Sequence, residues 1–296
     1  NSIVGIEGLY PTIKIIKFVK TIAIANKESI ICGWNLISKE LIKYKTQFIP
    51  VDSEHFSIWY GLQGQKVNNI ENIYITASGG PFRLLPIKKF KNINVRQAIN
   101  HPNWKMGKKI SVDSSTIINK VYEVIEAKNI FNIPYKKINV LIHPKSYIHT
   151  VIKFYDGLIK IIAHDTTMKI PIFNSIYYNL NKKLKSKKLN LNVLNNLKFH
   201  KPSLKRYPML KILKMLPNNI SLFETVLITA NDTLVSLFLD NKIKYIDISR
   251  KLFQILKMQE FSKFKKINPK NVDDILDLNK YVRLKVLKIV YKSIDV

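Results

Sequence analysis

The amino-acid sequence predicts an α/β and α+β multidomain fold, and three changes of pattern along its 296 residues indicate it. A short apolar run and an amphipathic helix occupy residues 1–50, strand-like runs with one well-marked helix occupy 51–178, and helical periodicity dominates 206–296. A chain of this length with 46% hydrophobic residues can bury a core and usually divides into domains. We therefore expect half of a parallel-sheet unit, a mixed α+β domain and a small helical bundle.

The first two regions differ in how their strands are connected. Residues 1–50 contain TIAIA, which indicates a buried strand, and the amphipathic helix ESIICGWNLISKELIKY, giving an αβαβ alternation. Residues 51–178 contain the strand-like runs NIYITAS, INVLIH, TVIKFY and LIKIIA, with Asp156-Gly157 as the hairpin turn between the last two. A helix starts near SVDSS, where Asp113 or Ser114 can cap it.

The last two regions are a linker and a bundle. Residues 179–205 are polar, rich in lysine and weakly periodic, which is typical of a linker that crosses the surface. Residues 206–296 repeat apolar side chains at helical spacing in SLFETVLITANDTLVSLFLD, YIDISRKLFQILKMQE and NVDDILDLNKYVRLKVLKIVYKSI. We expect these three segments to pack as a bundle.

The composition excludes some classes of function and leaves others open. The net charge of +29 would attract phosphorylated molecules and, nonspecifically, nucleic acid. No zinc-finger, RNP-like or helix-turn-helix pattern accompanies it, so we interpret the charge mainly as a bias toward Lys, Asn and Ile codons and expect no specific nucleic-acid partner. A single cysteine, Cys32, indicates a reducing, cytoplasmic location, and lysines interrupt the most apolar segments, so we expect no membrane helix.

Two carboxylates follow the β-prone run TQFI in PVDSEH. On a strand, Asp52 and Glu54 would project to one side and Ser53 to the other, and hard divalent cations prefer such oxygen ligands. Glu123 lies four residues after Asn119 on one helix face and offers a third carboxylate. Taken separately, each pattern is better explained by an ordinary feature, a solvated strand end for the first and a surface Glu-Lys pair for the second.

Two loops carry groups that could contact a ligand. In TASGGPF, two glycines end a strand, and the turn can direct backbone N–H groups and the Ser78 hydroxyl at an anion. In HPNWKMGKKIS, His101 and Trp104 lie in a loop that could cover a ligand. A tight turn and ordinary packing of the indole are the alternatives.

These motifs together resemble one enzyme family. ANKES, PVDSEH, TASGGPF, HPNWKMGKKISVDSSTIINK, LIHPKSYIH and TANDTLVSLFL occur in the order and approximate spacing of 1-deoxy-D-xylulose 5-phosphate reductoisomerase. The resemblance implies NADPH-dependent rearrangement and reduction of 1-deoxy-D-xylulose 5-phosphate to 2-C-methyl-D-erythritol 4-phosphate in non-mevalonate isoprenoid biosynthesis. It also implies a divalent metal (Mg²⁺ or Mn²⁺), a homodimer and inhibition by fosmidomycin-like phosphonates. Residues 1–50 would be the C-terminal part of a Rossmann-like NADPH-binding domain, and 51–178 the catalytic and dimerisation domain.

The resemblance also implies residue roles. The metal ligands would be Asp52, Glu54 and Glu123, which with Lys27 form the catalytic group. The substrate contacts would be Lys27, Ser53, Glu54, Ser78, His101, Ser114, Asn119, Lys120 and Glu123, of which Ser78, Ser114, Asn119 and Lys120 would hold the phosphate. The flap and pocket residues would be Trp104, Met106 and His149, and the nicotinamide contacts would be Asn26, Glu28 and Gly107.

The sequence departs from the family in two places. No glycine-rich dinucleotide fingerprint precedes Asn1, so we expect an N-terminally truncated member that lacks most of the dinucleotide-binding domain. The family's Gly-x-Pro-Asp-Met-Arg segment appears as HDTTMKIP, residues 164–171. Three classes follow: the reductoisomerase, an impaired remnant that binds metal and sugar phosphate without turnover, and a basic nucleic-acid-binding protein.

Overall fold

A computed structural model describes residues 1–178 and 180–292 of the chain. The strands are β1 Thr21–Ile24, β2 Gln47–Pro50, β3 Ile70–Ala77, β4 Ile138–Ile142, β5 Ile148–Phe154 and β6 Ile159–Ala163. The helices are α1 Leu9–Ile16, α2 Lys27–Tyr44, α3 Ser53–Gly61, α4 Val95–Ala98, α5 Lys108–Thr116, α6 Ile118–Phe131, α7 Lys169–Ile176, α8 Leu191–Asn195, α9 Phe223–Leu239, α10 Tyr245–Lys257, α11 Gln259–Ser262 and α12 Val272–Lys292. This order of elements confirms the predicted α/β and α+β multidomain class.

The first region forms the predicted αβαβ unit. Strands β1 and β2 pair in parallel, with Ile22 opposite Phe48 and Ile24 opposite Pro50. Helix α2 begins at Asn26, whose side-chain oxygen accepts a hydrogen bond from the Ser29 amide at 2.7 Å. The carboxyl ends of both strands therefore lead directly into helices at one edge of this small sheet.

The second region contains a four-stranded mixed sheet in the order β4-β3-β5-β6. Strand β3 is parallel to β4 and antiparallel to β5, and Gly157 turns the predicted β5–β6 hairpin with a φ of 87°. Helix α6 lies in the connection from β3 to β4 and packs Val124 and Ala127 against β3 isoleucines in one buried cluster. The sheet thus fixes one side of α6. The α6 side chains that line the cavity described below, Asn119, Lys120 and Glu123, are not members of this cluster.

The predicted strand geometry of Asp52 and Glu54 is wrong. Strand β2 ends at Pro50 because its partner β1 ends at Ile24, and Asp52 is the residue that precedes the first turn of α3. An Asp followed by Ser and Glu is a favourable helix start. The two carboxylates therefore share a helix N-terminus rather than one face of a strand.

The predicted cap of the next helix is also wrong. Asp113 and Ser114 lie inside α5, which begins at Lys108. Ile117 adopts a left-handed conformation with a φ of 66° and separates α5 from α6. Asp113 is buried and accepts a hydrogen bond from Asn231 at 2.8 Å, so a tertiary contact takes the place of the predicted cap.

The C-terminal bundle is confirmed in the residues that the structure describes. Helix α9 is buried along most of its length, and α10 and α12 pack against it. Residues 180–205 are mostly exposed, with α8 and a bridge between Ile142 and His200 as their regular features. The predicted linker and bundle also include residues 179 and 293–296, which lie outside the described residues.

One hydrophobic cluster runs from Ile6 in the first region to Val290 in the last, so the division at residues 50, 178 and 205 stays a prediction. Across the described parts of the chain, no helix is both long and apolar enough to cross a bilayer.

Candidate functional site

A cavity of about 250 Å³ lies where the N-termini of α3 and α6 meet the end of β3 and the loop of residues 101–107. Every predicted catalytic, substrate, flap and pocket residue lines it: Lys27, Asp52, Ser53, Glu54, Ser78, His101, Trp104, Met106, Ser114, Asn119, Lys120, Glu123 and His149. The structure therefore brings together side chains that lie up to 122 positions apart in the sequence.

The carboxylates of Asp52, Glu54 and Glu123 converge at one side of this cavity. One oxygen atom from each lies within 4.8 Å of the other two. Asp52 and Glu54 come from the start of α3, and Glu123 comes from the second turn of α6. We call these three residues the carboxylate triad.

Two lysines are paired with the carboxylate triad. Lys27 Nζ lies 2.8 Å from Asp52 Oδ2 and donates to Asn119 Oδ1 at 2.8 Å. Lys120 Nζ lies 2.8 Å from Glu54 Oε1 and 2.5 Å from Glu123 Oε2. Three carboxylates thus face two ammonium groups, which leaves the fully ionised set with an excess negative charge.

The pKa values of the triad follow from this arrangement. Burial acts to raise the pKa of Asp52, but the Lys27 ammonium, together with His55 and Lys120, outweighs it and holds that pKa well below the usual range. Burial and the charge of Glu54 raise the pKa of Glu123 to about 8, although Lys120 opposes them. Two ionised carboxylates beside a third that a cation would ionise fit a hard divalent ion with oxygen ligands.

Another part of the cavity lining is rich in hydrogen-bond donors. Gly79 and Gly80 have φ angles of 84° and 67°, and a Cβ at Gly80 would lie 3.1 Å from the Ser114 carbonyl oxygen. This close approach holds the turn after β3 against the end of α5, so that Ser78 and Ser114 line the same cavity. Lys120 lies in the first turn of α6, where the helix dipole favours an anion.

His101 fixes the orientation of Ser78. The backbone amides of Asn103 and Trp104 donate to His101 Nδ1 at 3.1 and 3.0 Å, so this nitrogen is an acceptor and the proton is on Nε2. Burial and the Lys120 charge lower the pKa of His101 to about 4, which keeps the ring neutral. Nε2 then donates to Ser78 Oγ at 3.1 Å, and the Gly80 amide donates to the same oxygen at 3.0 Å. The Ser78 hydroxyl proton remains available to a ligand.

The loop of residues 101–107 covers one wall of the cavity. Its first half is tied down by the Asn103 side chain, which donates to Pro144 O at 2.7 Å and to Ser146 Oγ at 2.9 Å. The Trp104 ring lies edge-on to His149 at a centroid distance of 6.2 Å. His149 in turn stacks on His164 at 3.7 Å, and burial with the neighbouring His164 lowers the pKa of His149 to about 3. The wall against Trp104 is therefore aromatic and uncharged.

The predicted nicotinamide contacts lie beside the cavity rather than in its lining. Asn26 caps α2 and donates to the carbonyl oxygens of Ile3 and Gly5, and Glu28 accepts from Lys109 at 3.0 Å. A Cβ placed at Gly107 would meet no atom within 4 Å, so the backbone there is open to a ligand. Ala25 and Met106, which precede Asn26 and Gly107, both line the cavity. Their role toward a cofactor stays a prediction.

Several functional residues were missed from the sequence. Ser146 lines the cavity and accepts from Asn103, although it lies in the motif LIHPKSYIH that was singled out only for His149. Below the triad, His55 donates from Nε2 to the Glu123 carbonyl oxygen at 2.8 Å, and its Nδ1 lies 3.4 Å from Glu126 Oε2. The signal for Glu126 was its i+3 spacing from Glu123 on one helix.

Comparison with protein-family models identifies three matching segments. Residues 1–33 match the model of 1-deoxy-D-xylulose 5-phosphate reductoisomerase, residues 48–131 match that of its C-terminal domain, and residues 165–285 match a further DXP reductoisomerase C-terminal domain. These segments contain the carboxylate triad and also Lys27, Ser78, Ser114, Asn119 and Lys120.

Two similar proteins are named 1-deoxy-D-xylulose 5-phosphate reductoisomerase. The chain is 61% identical over 285 residues to the 1-deoxy-D-xylulose 5-phosphate reductoisomerase of Pelagibacter ubique, a match that covers 96% of this chain and 74% of the relative. It is 40% identical over 283 residues to that of Clostridium novyi, covering 96% of this chain and 72% of the relative.

Solved structures are similar over nearly the whole chain. A DOX-P reductoisomerase in complex with NADPH, fosmidomycin and magnesium has a TM-score of 0.89 and 32% identity, covering 98% of this chain and 74% of that one. The Zymomonas mobilis enzyme in complex with NADPH has a TM-score of 0.86 and 30% identity, covering 97% and 73%.

Proposed function

The chain belongs to the 1-deoxy-D-xylulose 5-phosphate reductoisomerase family, and from this membership we propose how its residues perform the reaction. The family converts 1-deoxy-D-xylulose 5-phosphate to 2-C-methyl-D-erythritol 4-phosphate with NADPH and a divalent metal ion. The observation that carries the assignment is the convergence of the carboxylate triad, Lys27 and the donor-rich wall on one cavity. A phosphorylated sugar needs hydrogen-bond donors at its phosphate and the triad with Lys27 at its reacting carbons.

The phosphate would lie against Ser78, Ser114, Asn119 and Lys120. Ser78 already accepts two hydrogen bonds through Oγ, so its hydroxyl proton is directed toward a ligand oxygen. Lys120 supplies a charge-assisted bond from the first turn of α6, and a buried ammonium binds phosphate more strongly than an exposed, screened one.

The reacting carbons would lie against the triad and Lys27. Asp52, Glu54 and Glu123 would hold the divalent ion, which supplies Lewis-acid polarisation of the substrate oxygens when it is bound. Burial alone would lower the pKa of Lys27, but the charges of Asp52 and Glu123 raise it, so Lys27 stays protonated. Held between Asp52 and Asn119, Lys27 can donate a hydrogen bond to a substrate oxygen that gains negative charge. Ser53, the first residue of α3, lines the same cavity.

The loop and the remaining predicted contacts complete the site. Trp104 and Met106 would cover the substrate and exclude water, which a hydride transfer requires. Asn26, Glu28 and Gly107 would contact the nicotinamide end of NADPH at the rim beside Ala25 and Met106.

We further propose a cytoplasmic homodimer that binds no specific nucleic acid and no membrane. The edge strand β6 supports the dimer, because Ile159 and Ile161 expose 57% and 51% of their surface next to the exposed Leu158. The buried Cys32 supports a reducing compartment.

The test is a pair of measurements on the purified protein. We expect calorimetry to detect fosmidomycin binding that requires Mg²⁺ and, for a chain extended by a complete dinucleotide-binding domain, spectrophotometry to detect NADPH oxidation that requires 1-deoxy-D-xylulose 5-phosphate and Mn²⁺. Glu123→Gln should abolish both, whereas Glu71→Gln, at an exposed pair with Lys153, should change neither. Metal-independent fosmidomycin binding, or none at all, would contradict the proposed site.

A further inference from the structure

A second group of charged residues lies outside the cavity and is centred on Lys109. Its ammonium lies 3.0 Å from Glu28 Oε1, 3.4 Å from Asp113 Oδ2 and 2.9 Å from Asp232 Oδ1. We call Lys109 and these three carboxylates the Lys109 cluster.

The Lys109 cluster joins segments that are remote in the sequence. Glu28 belongs to α2, Lys109 and Asp113 to α5, and Asp232 to α9. Asn231 of α9 also donates to Asp113 Oδ1 at 2.8 Å. Glu28 and Asp113 expose only 8% and 2% of their side chains, so these contacts are shielded from solvent. The cluster therefore fixes the start of α5 to the N-terminal region and to the bundle.

The start of α5 is also the second end of the covering loop. Lys109 follows Gly107 by two residues, and Met106 and Trp104 precede Gly107. The first end of the loop is held elsewhere, by Asn103 on Pro144 and Ser146. The two ends are thus anchored independently, and the segment between them carries the side chains that cover the cavity.

We propose that Lys109 is a positioning residue, which fixes the second end of the covering loop so that Trp104 and Met106 close correctly over a bound phosphorylated ligand. The Lys109 ammonium contacts carboxylates of α2, α5 and α9, so it ties the loop end at the start of α5 to the other two helices. Lys109 does not line the cavity, so it acts through the loop rather than on the ligand. The ligand in this inference rests on the proposed function, whereas the anchoring of the loop does not.

The first test measures the loop without any ligand. Hydrogen–deuterium exchange of the full chain, read by mass spectrometry well below each variant's unfolding temperature, should show roughly tenfold faster exchange over residues 101–110 in Lys109→Met. Exchange in β3 and β5 should stay unchanged. Lys109→Arg should restore slow exchange, and Lys153→Met, which breaks the exposed pair with Glu71, should have no effect on the loop.

Two results would overturn the inference. One is wild-type exchange over residues 101–110 in folded Lys109→Met, and the other is faster exchange across the whole chain, which would make Lys109 a purely structural residue. If Lys109→Met does not fold, Glu28→Gln decides, because it removes the charged contact between Lys109 and Glu28 while keeping the size of the side chain. Local loosening of the loop is expected, and wild-type exchange would contradict the proposal.

The second test measures closure. In a Trp34→Phe, Trp59→Phe background, Trp104 is the one remaining indole, so its fluorescence reports the loop directly. With saturating Mg²⁺, Lys109→Met should bind fosmidomycin roughly tenfold more weakly than its parent and give a smaller fluorescence change. Affinity for Mg²⁺ alone should be unchanged, and Lys109→Arg should resemble the parent. Equal fosmidomycin affinity in Lys109→Met would refute the positioning role, whereas a parent that binds no fosmidomycin would refute the proposed function and leave the exchange test decisive.

Discussion

The cavity and the Lys109 cluster use the same residue types but differ in what surrounds their charges. In the cavity, three carboxylates bring oxygen atoms within 4.8 Å of one another beside an open space of about 250 Å³. In the Lys109 cluster, three carboxylates surround one ammonium, and Asn231 donates a hydrogen bond to Asp113. Because open space lies next to the converging oxygens of the triad, a ligand can bind there. In the Lys109 cluster the carboxylates are bound by residues of the chain itself, so the cluster holds helices together instead.

Both groups contain carboxyls with lowered and with raised pKa values, and they differ in which are raised: Glu123 in the cavity, and Asp113 and Asp232 in the Lys109 cluster. In the cavity, burial is outweighed by nearby positive charges, the largest from Lys27, so the pKa of Asp52 falls. In the Lys109 cluster, burial outweighs the shared Lys109, and the pKa of Asp232 rises to about 7. Two lysines among three carboxylates leave one raised pKa in the cavity, whereas one lysine among three leaves two raised pKa values in the Lys109 cluster.

The largest effect that would test this contrast is on metal affinity. Glu123→Gln should lower Mn²⁺ affinity by roughly a hundredfold or more, because the ion loses one of three charged oxygen ligands. Asp52→Asn should act in the same direction. Calorimetry of metal-free protein measures both, and wild-type affinity in the two variants would remove the metal site from the cavity.

A somewhat smaller effect is expected at the phosphate. Lys120→Ala should weaken fosmidomycin binding by roughly tenfold to a hundredfold, because it removes a buried, charge-assisted bond. Lys187→Ala, at an exposed lysine, should change the affinity less than twofold. Equal losses in a binding titration would instead favour nonspecific attraction by the basic surface.

The Lys109 cluster should show its effect in the pH dependence of stability. Asp232 has a folded-state pKa of about 7 against an ordinary value of 3.8, so it binds its proton more tightly when folded, and stability falls as pH rises between these values. Asp232→Asn removes this loss and should raise the free energy of unfolding by about 2 kcal/mol at pH 8 but little at pH 4. The value of about 2 kcal/mol already includes a reduction, because 28% of the Asp232 side chain is exposed and solvent screens its charge. Urea denaturation at both pH values gives the comparison, and an equal difference at each would contradict the linkage.

The smallest effect is expected at the exposed pair of Lys153 and Glu71, which lie 2.9 Å apart with 41% and 31% of their side chains exposed. Lys153→Met should leave the free energy of unfolding nearly unchanged, because solvent and salt screen the pair. Urea denaturation at low and high salt measures it. A loss as large as that at a buried pair would undermine the distinction by burial.

The sequence predicted local patterns well and tertiary geometry less well. The β5–β6 hairpin and the helices of the bundle follow from periodicity and turn chemistry, which act within a few residues. The end of β2 at Pro50 depends on where β1 ends, and this is why Asp52 and Glu54 were placed on a strand. The left-handed Ile117 has no local signal, since β-branched residues disfavour that conformation.

The site shows the same limit. Many of the residues that line the cavity were identified by resemblance to the family, but Ser146, the pairing of Lys27 and Lys120 with the triad, and the proton on His101 Nε2 required coordinates. The Lys109 cluster was missed because its members come from positions 28, 109, 113 and 232, and neither periodicity nor spacing relates residues so far apart.

Ile117 separates helices α5 and α6, which carry different parts of the site. Helix α5 starts beside the covering loop, while α6 carries Asn119, Lys120 and Glu123 at fixed angular positions of about 100° per residue. In one continuous helix, a residue inserted before the cavity-facing positions would rotate all of them out of phase. The break at Ile117 resets that phase, so the covering loop can change in length while the ligand-holding face of α6 keeps its orientation.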